Sequence, residues 1–538
     1  MDAPTGGIAK QRYDALVMNR EVYLRRAREC STLTIPYLIR PLGFNPAMQL
    51  PTPYQSLGAR GLRNLASKLL LALFPTNTTF FKYEIDDFLL AELNKQGKAT
   101  RGQFEIAMNR RERAIMTEIN KGLLRVAAAS ALQHLLVSGN YLLHIPPKGR
   151  VRGFRLDQFV VRRDPEGNVL EIVVKEPLNF NTLPPNVQTA IREKGYTKEA
   201  TDGDRKPGDT HKGTGDKTTD LYTRIYLSTD DDWHVSQECE GVTIPGSEGT
   251  YPKDFNEWLP IRWTAEAGED YGRSYVEELL GDLDSLEGLS ELLVEGISAV
   301  ARVLFLVKPN GVTQLRVVAK SRNGDVRSGN AEDVTVVQAE AKGADFKTAQ
   351  AQAEAIATRL SYAFMLNSTV QRNAERVTAE EIKYVAGELD DALGGLYTIM
   401  AAEFQLPIVL LFERRMQKVR KVPALPEGVA EPTITTGLEA IGRGQDLQAM
   451  KAFVTDVLQT IGPEEAFKYL DPSEFLKRAA AAYGIDTDGL VKPDQVVQQE
   501  EQQEQLQQLV QTLGPQAIQA GGGVVKQAMQ NNAQQSKG

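Results

Sequence analysis

A thirty-residue stretch from Ser274 to Val303 carries the clearest helical pattern in this sequence. Apolar residues recur along it at helical spacing, at Val276, Leu279, Leu283, Leu286, Leu293, Ile297 and Val300. Ser274 followed three residues later by Glu277 predicts a capping box, which satisfies the first free backbone N–H groups of a helix. At about 1.5 Å per residue, this helix would be roughly 45 Å long. The fold therefore has to accommodate one extended helical element.

The charge on this helix is one-sided. Between residues 274 and 300 there is no Lys or Arg, and the acids are Glu277, Glu278, Asp282, Asp284, Glu287, Glu291 and Glu295. An exposed helix usually gains from opposite charges four residues apart, whereas Glu277, Asp284, Glu291 and Glu295 share one narrow sector. Either basic partners lie on a neighbouring element, or the acidity itself has a function.

Three glycines lie inside the same helix, at positions 281, 288 and 296. Each costs about 1 kcal/mol relative to alanine in a helix interior. Glycines in so long a helix predict the close approach of a neighbouring helix, or a bend.

The residues before this helix form two regions of different character. Up to about residue 145 the pattern is mainly helical, and it includes one long predicted helix from Phe104 to Leu143. From about 150 to 265, runs such as VLEIVVKEPLNF and LYTRIYLS are rich in β-branched and aromatic residues, which favours strands. Between these two runs, the polar stretch 199–217 predicts an exposed loop.

The residues directly after the helix predict a small strand-containing module and then a second helix. VLFLVKPNGV (303–312) and EDVTVVQAE (332–340) indicate short strands separated by Gly-, Asn- and Arg-containing loops. The second helix is expected at about 347–364.

A third helix is predicted from a capping box at Thr378 to about residue 405, and paired glycines 394 and 395 predict a kink in it. After Pro407 the loop KVPALPEGVAEPTITTG (421–437) is expected, and helices are expected between residues 445 and 484. From Gln495 the tail is Gln-rich with an amphipathic pattern.

The stretch MLNSTVQRNAERVTAEEI (365–382) separates two of these helices and contains almost nothing to bury. Its polar and basic residues include Asn367, Ser368, Gln371, Arg372, Asn373 and Arg376. A polar, basic loop between two long helices suggests a contact with a partner.

Composition restricts the remaining classes of function. A chain of 538 residues is too long for one simple core, and its net charge of −8 argues against a general coat on nucleic acid. The sequence has no HExxH, CxxC, GxSxG or Walker A motif, and its four histidines lack metal-ligand spacing. We therefore expect no catalysis, no cofactor and no metal. Two cysteines predict no disulfide framework, and the apolar run SKLLLALF is too short for stable membrane insertion.

Three segments together resemble one known family: YGRSYVEELLGDLDSLEGLSELLVEGISAVARVLFLVKPNG, MLNSTVQRNAERVTAEEI and PTITTGLEAIGRGQDL. The chain is similar in these segments to the head-to-tail connectors, or portals, of short-tailed, autographivirus-type bacteriophages. The resemblance implies an α+β, mainly α, ring-forming portal fold. Its regions would be a wing (1–270, strand-rich at 150–265), a stem helix (271–303), a clip (304–346), a second stem helix (347–364), a tunnel loop (365–378), a kinked wing helix and loop (379–430), a crown (431–490) and a C-terminal barrel or tail (491–538).

The same resemblance implies a function in the virion, at the head–tail junction, with assembly in the host cytoplasm. A ring, typically of twelve copies, would form the channel for packaging and ejecting double-stranded DNA. The expected DNA-channel loop residues are Gln371, Arg372, Asn373 and Arg376, and the expected clip interface residues are Arg316, Lys320, Arg322 and Arg327. Further implied partners are the terminase packaging motor, tail adaptor proteins, and the major capsid, scaffold and internal core proteins.

Two other classes of function fit the residues. Long helices, missing catalytic groups and a Gln-rich tail also suit a helical scaffold or adaptor protein that makes no contact with nucleic acid. An enzyme that modifies nucleic acid is the third class, although no constellation of residues supports it.

Overall fold

A computed structural model of the chain describes residues 8–75 without 46, 79–85, 101–121, 124–193 without 148, 218–300 without 254, 304–337 without 323 and 324, 343–366, 395–422, 430–435 and 442–473, with the isolated positions 475, 476, 479 and 503. The chain divides into a larger unit, 1–84 with 112–440, and a smaller unit, 85–111 with 441–538.

The described N-terminal residues are mainly helical, as predicted. The helices are α1 (Ile8–Leu33), α2 (Leu57–Leu73), α3 (Arg101–Lys121) and α4 (Leu124–Ser138). Helix α2 buries one apolar stripe, since Leu62, Leu65, Leu69 and Leu73 are fully buried.

The prediction of helix as far as Leu143 is wrong: α4 ends at Ser138, and strand β2 (Asn140–His144) follows it. The change occurs at Gly139, which has a φ of +68°. The backbone of Gly272 and Arg273 passes so close to Gly139 that a Cβ atom there would lie 2.5 Å from it. Asn140 fixes the turn, since its side-chain amide exchanges two hydrogen bonds with the backbone of Gly272, at 2.7 and 2.8 Å. A tertiary contact thus overrides the helical pattern.

The strand-rich prediction for 150–265 is confirmed. An antiparallel sheet has the order β4 (Phe159–Arg163), β5 (Val169–Asn179), β6 (Thr218–Leu227), β7 (Asp232–Cys239) and β8 (Val242–Thr243), and β9 (Gly249–Pro252) also pairs with β7. A second sheet has the order β10 (Trp258–Arg262), β2 and β3 (Arg152–Phe154). The predicted exposed loop 199–217 lies outside the described residues. Helix α5 (Pro185–Glu193) precedes it in the chain.

Helix α1 packs on the larger sheet through a mixed apolar and ionic interface. Ala9, Tyr13 and Leu16 join a buried cluster with residues of β4, β5 and β6. Beside this cluster, Glu171 of β5 accepts hydrogen bonds from the guanidinium groups of Arg12 and Arg224, the latter at 2.6 Å. Burial opposes ionisation, but these two cations hold the pKa of Glu171 below its usual value.

The predicted helix at 274–303 consists of a short helix α6 (Tyr275–Glu278) and a long helix α7 (Leu280–Val300). The Oγ atom of Ser274 accepts a hydrogen bond from the backbone N–H of Glu277 at 3.0 Å, which confirms the predicted N-cap. Strands β11 (Leu304–Val307) and β12 (Val334–Val337) follow and pair antiparallel, as expected. Helix α8 (Leu315–Lys320) lies between them, so the predicted small module, α/β or β, is α/β. Helix α9 (Gly343–Ala363) confirms the second predicted helix.

The helix that follows Pro407 was not predicted, and it ends before the predicted loop 421–437. Helix α10 (Leu396–Met400) leads into a π turn (Ala401–Gln405) and directly into α11 (Leu406–Lys418). Pro407 lacks a backbone N–H, and it lies next to the π turn, where the regular α-helical hydrogen-bond pattern is already interrupted. Gly395 precedes α10 with a φ of +26°. Residues 379–394, with Gly394 and the capping box at Thr378, lie outside the described residues, so the kink stays a prediction.

The remaining elements are short. Strand β13 (Ala430–Ile434) pairs with β1 (Phe81–Ile85) in the larger unit. In the smaller unit, α12 (Gly442–Ile461) and α13 (Pro463–Tyr469) confirm the helices expected after residue 445 within the described residues 442–473. The tail from 491 lies outside the described residues, apart from position 503.

Both cysteines, Cys30 and Cys239, are buried free thiols, as expected. Burial raises the pKa of Cys30 to about 12. None of the helices in the described part of the chain combines the length and the apolar composition that crossing a bilayer requires.

Candidate functional site

Helices α7 and α9 form an antiparallel pair, called the hairpin below. At one end, Arg359 Nη2 lies 2.8 Å from Asp282 Oδ1. At the other end, the ring of Phe346 packs on Gly296. The side chains buried between these ends include Leu283, Leu286, Ile356 and Leu360. Residues 304–337, the tip module, connect the two helices at the Gly296 end.

The three glycines of α7 have different surroundings. At Gly296, a Cβ atom would lie 2.3 Å from Cε1 of Phe346, so the expected close approach of a neighbouring helix is confirmed there. At Gly281 and Gly288, a Cβ atom would meet nothing within 4 Å. Within one protomer, the expectation of close approach is therefore wrong at these two positions.

The acids of α6 and α7 divide into partnered and unpartnered groups. Besides Asp282, Glu277 has a cation nearby, since its Oε1 lies 3.9 Å from Nε of Arg26. Glu287 accepts hydrogen bonds from the backbone N–H groups of residues 54 and 55, at 2.7 and 3.2 Å. Four acids are exposed and have no ion-pair partner among the described residues: Glu278, Asp284, Glu291 and Glu295.

The chain leaves α9 at a firmly held point. Phe364 is fully buried, and its ring packs so closely on Gly61 of α2 that a Cβ atom there would lie 2.4 Å from it. The Nδ2 atom of Asn64 donates to the carbonyl oxygens of Phe364 and Met365, at 3.0 and 2.9 Å. Lys68 Nζ donates to the same Met365 oxygen at 3.1 Å. Helix α2 thus holds the start of the segment 367–394.

Two residues of the π turn, which follows α10, contact the C-terminal end of the same helix. The Nε2 atom of Gln405, in the π turn, donates to the carbonyl oxygen of Leu73 at 2.6 Å. The ring of Phe404 meets the ring of Phe74 edge-on, with centroids 5.0 Å apart. All of these groups are buried.

A buried ionic cluster connects the π turn to the sheets. Glu403 accepts hydrogen bonds from the backbone N–H and from Nε of Arg262, both at 2.9 Å. Arg163 Nη1 lies 3.8 Å from the same carboxylate. Burial lowers the pKa of Arg163 to about 10, although Glu403 opposes this shift. The π turn is therefore fixed on two sides.

The predicted channel residues Gln371, Arg372, Asn373 and Arg376 lie outside the described residues. The structure adds what sequence reasoning missed, namely the anchors Asn64 and Lys68. A single Lys within the apolar run SKLLLALF was a usable signal, because Lys is rarely buried without a partner. Asn64 gave no comparable signal.

The tip module brings together all four predicted interface residues, and all four are exposed. Arg316 and Lys320 lie on α8, and Arg322 and Arg327 on the loop that follows. Asp325 orders this loop, since it accepts from the backbone N–H of Arg322 at 3.0 Å and pairs with Arg327 at 2.9 Å. Three apolar residues of the tip module are strongly exposed and were not predicted as part of the interface: Val312, Leu315 and Val326.

Within the described ranges, no three His, Cys, Asp or Glu side chains lie together in a way that could hold a metal ion.

Comparison with known proteins gives consistent matches. Residues 7–491 match a family described as "Bacteriophage head to tail connecting protein". The chain is 42% identical over 502 residues to the portal protein of Escherichia phage T7, covering 91% of this chain and 89% of that protein. It is 41% identical over 521 residues to the portal protein of Enterobacteria phage T3, covering 96% and 93%. The portal protein of Enterobacteria phage SP6 is 28% identical over 511 residues, covering 95% of each chain.

Proposed function

The chain belongs to the family of bacteriophage head-to-tail connecting proteins, and from that premise we propose that twelve copies form a ring at one capsid vertex, through which double-stranded DNA is packaged and later ejected. The hairpin is then the stem, the tip module the clip, and residues 365–378 the tunnel loop. Residues 1–270 and 379–430 belong to the wing, 431–490 to the crown, and 491–538 to a C-terminal barrel or tail.

One observation carries this proposal: described residues on both sides of the segment 367–394 contact helix α2 or its C-cap. Asn64 and Lys68 bind the backbone of Phe364 and Met365 before the segment, and Leu73 and Phe74 contact Gln405 and Phe404 in the π turn after it. Anchors on both sides of a basic segment favour a constant position for Arg372 and Arg376. Gln371 and Asn373 beside them add neutral hydrogen-bond donors.

These residue types suit sliding DNA. Arginine and amide side chains contact phosphates of any sequence, because phosphate contacts carry no base information. Few such contacts on an otherwise acidic surface favour passage, whereas a uniformly basic channel would retain DNA through counterion release. The unpartnered Glu291 and Glu295 of the hairpin would provide such a surface.

The test replaces the two cations of the loop, Arg372→Ala with Arg376→Ala. We expect ring assembly and ring melting to be unchanged, and packaging or retention of DNA to fall. A matched control is Arg25→Ala with Arg150→Ala, two exposed arginines without ion pairs among the described residues. If the loop variant melts early yet surviving particles retain DNA normally, the arginines stabilise the loop by pairing with acids such as Glu375 or Glu380, and the DNA contact is refuted.

The exposed tip module is proposed to dock the terminase packaging motor during filling and tail adaptor proteins afterwards. Its four cations and its exposed apolar side chains give it a surface that an acidic, partly apolar partner would fit. Replacing Arg316, Lys320, Arg322 and Arg327 by Ser should leave rings intact and weaken adaptor binding, most strongly at low salt. Unchanged adaptor affinity would remove these residues from the interface.

The remaining partners follow from the position proposed for the ring, at the head–tail junction of the virion. They are the major capsid, scaffold and internal core proteins, which the chain would meet during assembly in the host cytoplasm. The protein is proposed to act structurally and to use no cofactor.

A kink at Gly394 and Gly395 is proposed to carry the helix across the wing. Replacing both glycines by Ala should disturb ring geometry more than it disturbs the fold of one subunit, and normal assembly and packaging by that variant would refute the kink.

A further inference from the structure

Two helices of this chain carry opposite, unsatisfied charge. Helix α7 has no Lys or Arg, and Asp284 on its exposed face has no ion-pair partner among the described residues. Helix α2 has no Asp or Glu, and its exposed Arg60 and Arg63 lie three residues apart on one face. Neither arginine has an ion-pair partner in the described part of the chain. The exposed face of α7 is acidic and the exposed face of α2 is basic, so the two faces are complementary in charge.

The glycines of α7 provide an independent observation. Gly281 and Gly288 flank Asp284 on the exposed side of the helix, and each costs about 1 kcal/mol relative to alanine. At Gly296 this cost is offset inside the protomer, because the ring of Phe346 packs into the space that a side chain there would fill. Among the described residues, nothing occupies the space at Gly281 or Gly288. A surface that approaches from another molecule would use it.

The two faces lie at similar heights along any ring axis. Leu283 Cδ2 lies only 3.3 Å from the position that a Cβ atom on Gly58 would take, so α2 and α7 touch at this point. Asp284 is one residue and Arg60 two residues away from this contact. Rotation about a ring axis preserves height, whichever way the axis runs through the protomer. Neighbouring copies in a ring can therefore bring Arg60 of one copy opposite Asp284 of the next.

We propose that the Gly281–Gly288 face of α7 is an interface between copies, on which Arg60 and Arg63 of a neighbouring copy pair with Asp284. Because the two faces differ, the contact is heterologous, and repeating it around an axis closes a ring. The two glycines leave room for α2 of the neighbouring copy, and the ion pairs fix the position of that helix along α7. Glu291 and Glu295, further along α7, remain outside this contact. The inference rests on the proposed ring, and it assigns the surfaces that close it.

Charge reversal tests the proposal through rescue between two chains. Variant one is Asp284→Arg, and variant two is Arg60→Glu with Arg63→Glu. Alone, each variant places like charges at every interface, which is strongly unfavourable. We expect each to need at least about tenfold more protein for half-maximal ring assembly at low salt. Mixed in equal amounts, the two variants should assemble as alternating rings, because every interface again joins opposite charges.

Matched controls separate this interface from general charge effects. Glu295→Arg changes the charge of α7 equally but lies more than two turns further along it, and Arg25→Glu changes an exposed arginine on α1. Both controls should assemble as the unmodified chain does. High salt should reduce the defects of variants one and two, because exposed charges are then screened.

The possible outcomes are distinct. Rings from either variant alone, formed as readily as by the unmodified chain, would overturn the proposal. Assembly defects in both variants that persist when the two are mixed would also overturn the proposal. Normal rings with altered DNA retention would place these residues on the channel wall instead of the interface. Failure of the unmodified chain to form rings would refute the proposed function itself, which is a separate result.

Discussion

The sheet region and the hairpin satisfy their charges in opposite ways. In the sheet region, Glu171 lies between two arginines, and Glu403 binds Arg262 beside Arg163, with most of these groups buried. In the hairpin, four acids are exposed without an ion pair among the described residues, and two glycines border open space. The difference supports the proposal that neighbouring copies complete the hairpin, whereas these charges of the sheet region are paired within one chain.

The largest effect is expected from breaking the ionic cluster at the π turn. Glu403→Gln leaves Arg262 and Arg163 buried without a carboxylate, which should cost about 3–5 kcal/mol of the free energy of unfolding. Asp282→Asn is the matched change in the hairpin, and it should cost less than about 1 kcal/mol because the pair with Arg359 is exposed. Denaturant unfolding of both variants measures the contrast. Equal costs would show that the two regions do not differ in this respect.

Acid should act on the packing of α4 against β2 through His134, a buried residue of α4 whose ring stacks on that of Tyr141. Burial lowers the pKa of His134 to about 4, from an ordinary value near 6.5. Protonation therefore favours the unfolded chain, so the stabilisation is complete above about pH 6.5 and is lost as the pH falls toward 4. Between pH 7 and pH 5 this residue should account for about 2 kcal/mol of lost stability.

His134→Phe should remove that part of the loss, as denaturant unfolding of both proteins at pH 7 and pH 5 would show. No histidine occurs between residues 274 and 366, so hydrogen exchange in the hairpin should differ little between the variant and the unmodified chain. An unaltered pH dependence in the variant would contradict the assignment.

Two glycines of one helix should respond in opposite directions. Gly296→Ala pushes a methyl group into Phe346 and should cost about 1–3 kcal/mol. Gly288→Ala meets nothing in the protomer and should stabilise an isolated subunit by up to about 1 kcal/mol, while hindering ring assembly. Thermal melting of dissociated subunits, with assembly yield measured separately, checks both. A Gly288→Ala variant that assembles normally would argue that this face stays open in the ring.

Local patterns predicted the parts of the fold that local forces decide. Helices α2, α7 and α9 follow their apolar periodicity, and Ser274 caps its helix as its sequence implies. The start of β2 could not be found in this way, because Asn140 is held by Gly272, 132 residues away in the sequence. The π turn likewise depends on contacts between Glu403 and Arg262.

The candidate site shows the same division. Its residue types could be read from the sequence, since polar and basic side chains between helices stand out. The residues that anchor it could not be predicted, because Asn64 binds the backbone of Phe364, which lies 300 residues away in the sequence. The unpartnered state of Asp284, Arg60 and Arg63 is also a property of the folded chain, and no sequence pattern distinguishes it from ordinary exposed charge.

Electron cryo-microscopy of the purified, assembled protein tests the central claim most directly. The account predicts closed rings in which the hairpins surround a central hole and the Gly281–Gly288 face of each copy is covered by its neighbour, with Arg60 opposite Asp284. Single chains, or rings in which that face of α7 meets only solvent, would contradict it.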